Sequence, residues 1–494
     1  MILHVNKHFL LIIIMMEAIT FLNPDIETNM LFLEGLIILS IAFLCFTHIK
    51  ARSMIPVLDK YSYYNGLRKP NHNNSDHYNV KNSLLNKYEN ISTKNKFISP
   101  DCDIRYNGNY NKKILNALPF ISIVIPVRNE EKHIKRCLLS LLAQEYPNFE
   151  IIAVDDNSTD KTLNIMNEIK NNEYLKANNF PRRILKIVSL NSKPDGWAGK
   201  TWASQNGFLQ SKGSILLFTD ADTNYARKDV LLQTILCMIN EKLDVLTGIP
   251  TNEKLKNFWA KFAIPLWDSI SVLFGVNSAD VNDPRSKIAY LIGCFFLIKR
   301  NVFVNIGTFE AVHDAIQEDK SLGVLVKKNG YKIKLVQLKE MLYTLWVDDL
   351  TTLWHGIGRT LAPLVMKNKL RVVMNLLVVF FASIIPFMIF PINISILTNN
   401  YFSHQKDYFT ICLDIFLLVL DLIVCGIMIN LVSKKCIEYG ISSLCSLTII
   451  FASMFAFVAC LYNVAPLLVF GSTKPIIWQG REYTYKKKQE GFSI

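Results

Sequence analysis

Two aspartates that follow a short apolar run are the side chains in this sequence best suited to hold a metal ion. Residues 215–218 are apolar and lead into Thr219-Asp-Ala-Asp222. Residues two apart in an extended chain point to the same side, so we expect Asp220 and Asp222 to face one way at the end of a buried strand. Two anionic oxygens there suit Mg²⁺ or Mn²⁺ that carries phosphate groups. An Asp-x-Asp sequence alone also occurs in solvated turns, so the neighbouring segments decide the interpretation.

Two earlier apolar runs also end in polar and acidic residues. Residues 120–126 and 149–154 are rich in β-branched side chains, and each is followed by a helical pattern of apolar residues. Strands that alternate with helices predict an α/β fold with a mostly parallel sheet covered on both faces. Ligands of such sheets bind at the carboxyl ends of the strands, where all of these groups fall. The residues at the first two strand ends are Val127, Glu130, Asp155 and Asp156.

Together these segments resemble the family 2 glycosyltransferases, inverting enzymes with a Rossmann-like GT-A fold that take a sugar from a nucleotide donor. The matching motifs are Pro126-Val-Arg-Asn-Glu130, Val154-Asp-Asp-Asn-Ser-Thr-Asp160 and Thr219-Asp-Ala-Asp222. Ser158 and Asp160 are explained equally well as turn or helix-cap residues.

The resemblance implies a role for each strand end. Asp155 or Asp156 would meet the base or ribose of the donor, and the segment from Val127 to Glu130 would help to hold the nucleotide. Asp222 would hold Mg²⁺ or Mn²⁺ on the diphosphate, with Asp220 beside it.

A glycine-rich turn adds a cation to this set. Pro194-Asp-Gly-Trp-Ala-Gly-Lys-Thr201 precedes a helical stretch at 202–210. A P-loop needs glycine where Pro194 stands, which excludes that motif. A glycine-rich turn at a helix start can still receive phosphate oxygens, and Lys200 would neutralise diphosphate charge. The alternative is a tight loop with a surface lysine.

An inverting transfer also needs a base that takes the proton of the acceptor hydroxyl. The family places an aspartate after a glutamate at a helix start for this purpose, and Asp319 with Glu318 beside it fits that position. The alternative for Asp319 is a first-turn acid favoured by the helix dipole.

Three further segments are similar to the hopene-associated glycosyltransferases: Gly196-Trp-Ala-Gly-Lys200, Val281-Asn-Asp-Pro-Arg285, and Trp354 with Arg359. The resemblance covers roughly residues 119–365. It places Trp354 and Arg359 among the substrate-binding residues, since a planar guanidinium pairs well with phosphate. A Gln-x-x-Arg-Trp motif, which processive polysaccharide synthases of the family carry, does not occur near this point.

The composition predicts a membrane protein. The 494 residues are 50% hydrophobic, and the mean hydropathy is +0.22. The net charge of +13 comes from basic residues that gather beside apolar segments, which favours an anionic membrane surface over nucleic acid as the partner. The ten cysteines are scattered and show no zinc spacing, so we expect free thiols in a reducing compartment.

Apolar segments divide the chain. Residues 9–22 and 31–48 predict one or two amino-terminal spans, and 372–397, 409–432 and 444–470 predict three more. Lysines and arginines around these segments place the domain between them in the cytoplasm, although a third full crossing would put the basic tail outside. The predicted domains are an anchor (1–52), a low-complexity linker (53–116), a GT-A domain (117–370), transmembrane helices (371–470) and a basic tail (471–494).

Two membrane features stay open. The aromatic segment 258–274 fits either the membrane interface or the protein core. Asp414 and Asp421 lie seven residues apart on one face of a predicted span, where carboxylates serve either function or helix packing.

The sequence therefore predicts a multi-pass membrane glycosyltransferase that moves one sugar from a nucleotide donor, expected to be a UDP sugar, to a lipid or isoprenoid acceptor. A processive polysaccharide synthase and a non-catalytic nucleotide-sugar-binding membrane protein are the alternatives.

Overall fold

A computed structural model describes most of the chain outside the amino terminus and the predicted linker. The predicted span at 9–22, residues 61–104 of the linker and the Lys486-Lys-Lys488 tail lie outside the described residues. The described residues are 26–52, 55–58, 105–106, 109–110, 118–171, 184–253, 257–270, 279–286, 288–315, 317–345, 350–403, 408–471, 476–478 and 481–483.

The strands are short and are numbered in chain order. They are β1 (Arg105–Tyr106), β2 (Asn109–Tyr110), β3 (Ile121–Val127), β4 (Phe149–Asp156), β5 (Ile184–Leu190), β6 (Ile215–Thr219), β7 (Asn224–Tyr225), β8 (Val245–Ile249), β9 (Thr251–Asn252), β10 (Phe295–Lys299), β11 (Ile333–Gln337), β12 (Leu342–Thr344), β13 (Ile476–Trp478) and β14 (Arg481–Tyr483).

The α-helices are longest in the carboxyl-terminal part. They are α1 (Ile26–Arg52), α2 (Ile134–Leu142), α3 (Thr162–Asn171), α4 (Gly199–Leu209), α5 (Val230–Asn240), α6 (Phe258–Ile270), α7 (Arg300–Asn305), α8 (Glu318–Lys328), α9 (Leu350–Lys367), α10 (Lys369–Ser383), α11 (Ile385–Ser403), α12 (Tyr408–Glu438) and α13 (Ile449–Phe470).

The chain forms two compact units. The first, called here the sheet unit, is Met54–Glu253 with Ala279–Trp346. The second, called the helical unit, is Met1–Ser53 with Lys254–Ser278 and Val347–Ile494.

The sheet unit is built on seven described strands in the order β11-β8-β10-β6-β3-β4-β5. All of them except β10 run in one direction, because β10 pairs antiparallel with both β6 and β8. The parallel pairs set the carboxyl ends of β3, β4 and β6 side by side at one edge. The predicted mostly parallel, Rossmann-like GT-A fold is confirmed.

Apolar side chains cover both faces of this sheet. Successive residues of β3 alternate between the faces: Ile123 packs with residues of α2 and α5, whereas Val124 packs with Phe303 and Leu322 on the other side. Burial on both faces explains why the central strands are continuous apolar runs without alternating polar residues. The sheet is therefore a rigid platform for the loops at its edge.

Smaller pieces complete the sheet unit, among them the two-stranded pair β1-β2. A three-stranded sheet in the order β7-β12-β9 is separate from the main sheet. Residues 55–58, which we expected in the linker, pair with Gln337 of β11 through Leu58 N–H to Gln337 O and Gln337 N–H to Pro56 O, both at 2.9 Å. The buried side chains of Ile55 and Leu58 attach this stretch to an edge strand.

The sequence located most of the central strands and missed others. Residues 290–298 form a mainly apolar run that predicts a strand, but the strand begins only at Phe295 and runs antiparallel to its neighbours. Strand β5 was not predicted because its exposed, buried and half-buried residues leave no continuous apolar run at this sheet edge.

The helical unit contains three described segments that are long and apolar enough to cross a membrane: Lys369–Asn399, Tyr408–Glu438 and Ser443–Phe470. The first consists of α10 and most of α11, which are separated at Ile384. Helix α1 has a shorter apolar part at Leu33–Thr47, so the amino-terminal span is weaker than these three. The tail segment forms a hairpin of β13 and β14, in which Trp478 pairs with Arg481.

Candidate active site

An ion-paired lysine links two of the sequence-predicted groups at the sheet edge. Lys200 lies in the first turn of α4, and its Nζ is 2.7 Å from Asp220 Oδ1 and 3.0 Å from Glu318 Oε1. The glycine-rich turn is fixed by a hydrogen bond from Ala198 N–H to His313 O of 2.7 Å. The alternative interpretation of this turn, a tight loop with a surface lysine, does not hold, because the Lys200 side chain is only 17% exposed.

Burial and charge shift the pKa of both members of this pair. Burial lowers the pKa of Lys200, but the adjacent carboxylates, Asp220 first, outweigh it and raise the pKa above its usual value. Burial raises the pKa of Glu318 to about 7, although the Lys200 ammonium opposes the shift. The ammonium therefore stays charged while the surrounding carboxylates repel one another.

Asp319 lies beside this ion pair and is held by main-chain donors. Its Oδ2 accepts a hydrogen bond from Gly293 N–H at 3.0 Å, and its Oδ1 accepts one from Lys320 N–H at 2.8 Å. A Cβ atom added at Gly293 would lie 3.0 Å from both Asp319 Oδ2 and Lys200 Nζ. Glycine at 293 thus allows the two side chains to approach the same point of the backbone.

Asp222 carries an orphaned carboxylate oxygen. Its Oδ1 is buried and has no hydrogen-bond partner, while its main-chain oxygen accepts from Arg136 Nη2 at 3.1 Å. Burial, followed by the charge of Asp220, raises the pKa of Asp222 to about 7, and a hydrogen bond with Thr344 opposes the shift. A buried carboxylate oxygen without a partner is a costly arrangement that a cation relieves.

The local geometry of Asp220 and Asp222 differs from the extended chain that we expected. Strand β6 ends at Thr219, and the hydroxyl of Thr223 donates to Asp220 O at 2.8 Å. This bond closes a turn, so alternation along a strand does not set the directions of the two carboxylates.

The donor set suits a hard divalent ion that is completed by other ligands. Within the described residues, no group of three or more His, Cys, Asp and Glu side chains is arranged to hold a metal. The free Oδ1 of Asp222 and the carboxylate of the neighbouring Asp220 supply oxygen ligands and no nitrogen or sulfur ligands. Such a pair fits Mg²⁺ or Mn²⁺, which commonly binds through one or two carboxylates plus substrate phosphates and water.

The loops after β3 and β4 are bonded to each other. Asn129 N–H donates to Ser158 Oγ at 3.0 Å, Thr159 N–H donates to Asn129 Oδ1 at 2.8 Å, and Glu130 N–H donates to Thr162 Oγ1 at 2.8 Å. Asn129 has a φ of 52°, a left-handed geometry that asparagine tolerates better than most residues. The two loops form one wall of the site.

Ser158 and Asp160 act within this wall as turn and cap residues. The carboxylate of Asp160 accepts from Thr162 N–H at 3.0 Å and from Glu131 N–H at 3.2 Å. The first bond satisfies the amide at the start of α3, and the second ties the loop after β3 to this turn, so the turn and capping interpretation accounts for this residue.

The two aspartates at the end of β4 are both buried. Asp155 accepts from Ser158 N–H through Oδ2 at 3.4 Å, and its Oδ1 has no partner. Asp156 O accepts from Arg128 Nη1 at 2.5 Å. Asp155 therefore offers a free acceptor at the strand end, next to the loop that contains Glu130.

The predicted site residues also include Val127, Trp354 and Arg359. The Val127 side chain is 1% exposed and belongs to the sheet core, so only its main chain is at the strand end. Trp354 and Arg359 belong to α9 in the helical unit. The Trp354 ring contacts Phe455 and Tyr462 of α13, with centroid distances of 5.8 and 5.2 Å.

Sequence reasoning missed three residues of the site: Gly293, Thr344 and Arg136. A glycine inside a predicted apolar strand signals a bulge or a close approach, and that signal was present at Gly293. Thr344 and Arg136 reach the site through pairings between distant segments, which no local pattern announces.

Part of the chain matches a known protein family. The family model "Glycosyl transferase family 2" matches residues 122–307. Residues 122–307 are therefore similar to a family 2 glycosyltransferase domain. The matched segment includes Lys200 and Asp222, whereas Asp319, Trp354 and Arg359 follow it.

Two curated relatives have names that contain lipid-like molecules. The chain is 34% identical over 155 residues to the beta-monoglucosyldiacylglycerol synthase of Nostoc sp., covering 31% of this chain and 31% of that protein. It is 25% identical over 216 residues to the 4,4'-diaponeurosporenoate glycosyltransferase of Staphylococcus aureus, covering 44% of this chain and 52% of the other. The match thus spans between about a third and a half of these relatives.

A solved structure is also similar to the chain. The mannosyltransferase PcManGT from Pyrobaculum calidifontis, in complex with GDP-Man and Mn²⁺, has a TM-score of 0.42 and 14% sequence identity, covering 87% of this chain and 99% of that one.

Proposed function

We propose that the protein transfers a single sugar, with inversion, from a nucleotide-sugar donor to a lipid or isoprenoid acceptor at a membrane. One observation carries the proposal: Lys200, Asp220, Glu318 and Asp319 meet at the carboxyl edge of a GT-A sheet. Clustered carboxylates around one cation, in a family 2 glycosyltransferase domain, suit the binding of a diphosphate with its metal and the removal of a proton.

The donor would lie across the ends of β3, β4 and β6. We propose a UDP sugar, with its base or ribose next to Asp155, Asp156 and Glu130. The free Oδ1 of Asp155 is an acceptor for a ribose hydroxyl or a base N–H. Leaving such a buried oxygen unpaired costs about 1–3 kcal/mol, and a bound nucleoside would relieve that cost.

The diphosphate would be held by Lys200 and by a divalent ion on Asp222 and Asp220. When bound, Mg²⁺ or Mn²⁺ neutralises the charge that develops on the departing nucleoside diphosphate. In the free protein, Lys200 is paired with Asp220 and Glu318. It is therefore placed to pair with the phosphate oxygens of a donor that binds beside these carboxylates.

Asp319 is the proposed base. It takes the proton of an acceptor hydroxyl while the hydroxyl oxygen bonds to the anomeric carbon and the nucleoside diphosphate leaves from the opposite face. The Gly293 N–H keeps Oδ2 oriented, and Glu318 beside it is occupied by Lys200. An acceptor that presents a carboxylate would already be deprotonated and would need less help from Asp319.

The acceptor is proposed to be a lipid because of the helical unit and the relatives. Three described segments are able to span a membrane, and two curated relatives carry diacylglycerol and diaponeurosporenoate in their names. We further propose a multi-pass protein whose sheet unit faces the cytoplasm, on the basis of the lysines and arginines that flank the apolar segments.

We also propose that the protein belongs with the hopene-associated glycosyltransferases. The motif Val281-Asn-Asp-Pro-Arg285 has a structural task here: Asn282 Nδ2 donates to Leu335 O at 3.0 Å, and its Oδ1 accepts from Leu335 N–H at 2.6 Å. Lys327 Nζ donates to Val281 O at 3.0 Å. These bonds dock the motif on β11.

The test is incubation of the full-length protein in membranes with a panel of labelled sugar nucleotides and a native lipid extract. We expect one labelled lipid that carries one sugar, together with released nucleoside diphosphate. A polymeric product would indicate a processive synthase. Donor and metal binding without any release of nucleoside diphosphate would indicate a non-catalytic binding protein.

A further inference from the structure

Helix α6 presents aromatic side chains that have little cover within the helical unit. Phe258 is 68% exposed and Trp259 is 36% exposed. Phe258 stacks on Phe262, with ring centroids 5.9 Å apart and an interplanar angle of 14°. An exposed aromatic cluster of this kind in a soluble environment would be a liability for aggregation, so it calls for a covering partner.

The same helix also packs against the candidate spans. Its residues from Ala263 to Trp267 are buried. The ring centroids of Trp259 and Phe262 each lie 6.3 Å from the ring centroid of Phe455 in α13. The aromatic surface of α6 therefore continues onto a helix that is long and apolar enough to cross a membrane.

A buried ion pair fixes the other end of α6 near the end of a second span. Lys435 Nζ lies 3.2 Å from Asp268 Oδ2 and also pairs with Glu438, and Tyr439 OH donates to Asp268 Oδ2 at 2.8 Å. Lys435 lies in the last turn of α12. A helix of 31 residues exceeds the roughly 20 needed for the hydrocarbon core, so its charged last turn reaches the polar headgroup region.

The sequence of α6 and its approach has the composition of a membrane-surface segment. Residues 254–262 read Lys-Leu-Lys-Asn-Phe-Trp-Ala-Lys-Phe, with three lysines interleaved with three aromatic residues. Lysines attract anionic headgroups, and Trp and Phe insert at the headgroup level. Charge and apolar surface thus match the same partner.

We infer that α6 lies in the interfacial layer of the bilayer, with Phe258 and Trp259 inserted among phospholipid molecules. The occupant of this aromatic surface is bilayer lipid. The sequence left two interpretations open for residues 258–274, the membrane interface and the protein core. For the described part, Phe258–Ile270, we infer the membrane interface on its aromatic face. The inference does not depend on sugar transfer.

The test uses the photo-crosslinking amino acid p-benzoylphenylalanine in the full-length protein, reconstituted in vesicles of phosphatidylcholine and phosphatidylglycerol. One variant carries it at Phe258. A matched control carries it at Leu209 in the sheet unit, which is 63% exposed, and a second control at Phe416 in α12, which is 58% exposed. After illumination, mass spectrometry of the digested protein identifies what each position has captured.

We expect phospholipid adducts at positions 258 and 416 and at most a trace at position 209. Absence of lipid at 258 while 416 is labelled would overturn the inference. Capture of a second copy of the chain at 258, instead of lipid, would overturn it as well. Elution of each variant as the wild-type species on size exclusion confirms that the reporter has not disrupted the fold.

Discussion

At the scale of single residues, Lys200 is the side chain on which the site depends. Its ammonium neutralises Asp220 and Glu318 in the free protein, where the donor and metal charges are absent. The same cation is placed to pair with a diphosphate. We therefore interpret Lys200 as a group that holds the carboxylates together before the donor arrives and then stabilises the leaving group.

Replacing Lys200 by methionine separates these two tasks. Without the ammonium, Asp220 is free to bind a cation, so we expect Mn²⁺ affinity of the donor-free protein to rise by roughly 10-fold, the effect of about 1.4 kcal/mol. Sugar transfer should fall at least about 100-fold, as expected when one stabilising charge of a transition state is lost. Electron paramagnetic resonance of free Mn²⁺ measures the first effect and product formation the second.

Lys200→Arg is the charge-retaining control for this experiment. We expect its Mn²⁺ affinity in the donor-free state to stay near that of the wild type. Equal Mn²⁺ affinities for the methionine variant and the wild type would show that Lys200 does not compete for Asp220.

The pKa of Glu318 gives a second residue-scale prediction. Because burial raises this pKa to about 7, the folded protein binds a proton here that the unfolded chain, with a usual pKa of 4.5, releases. The contribution to stability is therefore largest at low pH and is lost as the pH rises from about 4.5 to about 7. Glu318→Gln removes this loss, so its Tm relative to wild type should rise between pH 5 and pH 8. A Tm difference that stays constant across this range would contradict the assignment.

The sequence predicted the residue types of this site better than their geometry. Local motifs predict Asp220, Asp222, Lys200 and Glu318 as site residues, because each lies near a strand end or a helix start that its own segment defines; their roles stay predictions. The turn after Thr219 was not foreseen, since it depends on the Thr223 hydroxyl. The roles of Gly293 and Thr344 depend on contacts between segments far apart in sequence.

At the scale of elements, the loop before β10 positions the proposed base. The Gly293 N–H holds Asp319, and a Cβ at this position would press on Asp319 and Lys200. Gly293→Ala should lower kcat roughly 10- to 100-fold by displacing the base, with a small change in Tm. Gly426→Ala in α12, where a Cβ meets nothing within 4 Å, is the control. Wild-type kcat in the Gly293 variant would contradict the positioning role.

Polar side chains join three apolar helices of the helical unit. Asn393 Nδ2 of α11 donates to Asp421 Oδ2 of α12 at 2.7 Å and to Glu34 Oε1 of α1 at 3.4 Å. Asp421 and Glu34 are almost fully buried. Of the two roles that the sequence left open for Asp421, these bonds favour helix packing, and they show how α1 attaches to the other helices.

Asn393→Leu tests this junction. Removing the amide leaves two buried carboxyl groups without their donor, which should cost about 1–3 kcal/mol and lower Tm in detergent by several degrees. Asn399→Leu, at an exposed position of the same helix, should leave Tm within about a degree, as surface substitutions usually do. Equal Tm values for the two variants would remove the proposed role of Asn393.

Strands were predicted from the sequence where burial on both faces makes them apolar throughout, as in β3, β4 and β6. Strand β5 lies at the sheet edge and has mixed polarity, and β10 runs against its neighbours. The direction of β10 follows from the chain path and not from its own composition. The single-strand patterns thus predicted the centre of the sheet, and tertiary pairing decided its edges.

At the scale of the whole molecule, a nucleotide-binding sheet and a set of apolar helices occur in one chain whose segments interleave. Residues 254–278 and 347–370, which we expected in the catalytic domain, group with the apolar helices. The carboxyl end of the expected catalytic domain, including Trp354 and Arg359, therefore belongs to the same unit as the apolar helices. This interleaving fits the proposed transfer from a water-soluble donor to an acceptor dissolved in lipid.

The central claim is that Asp319 deprotonates the acceptor in a site whose donor is held by other groups. The most direct measurement compares sugar transfer and donor binding in the wild type, Asp319→Asn and Asp222→Ala, with the labelled lipid product and isothermal titration of the donor as readouts. We predict that Asp319→Asn loses at least about 100-fold in transfer and keeps donor affinity, whereas Asp222→Ala loses both. Wild-type transfer by the purified Asp319→Asn protein would contradict the account.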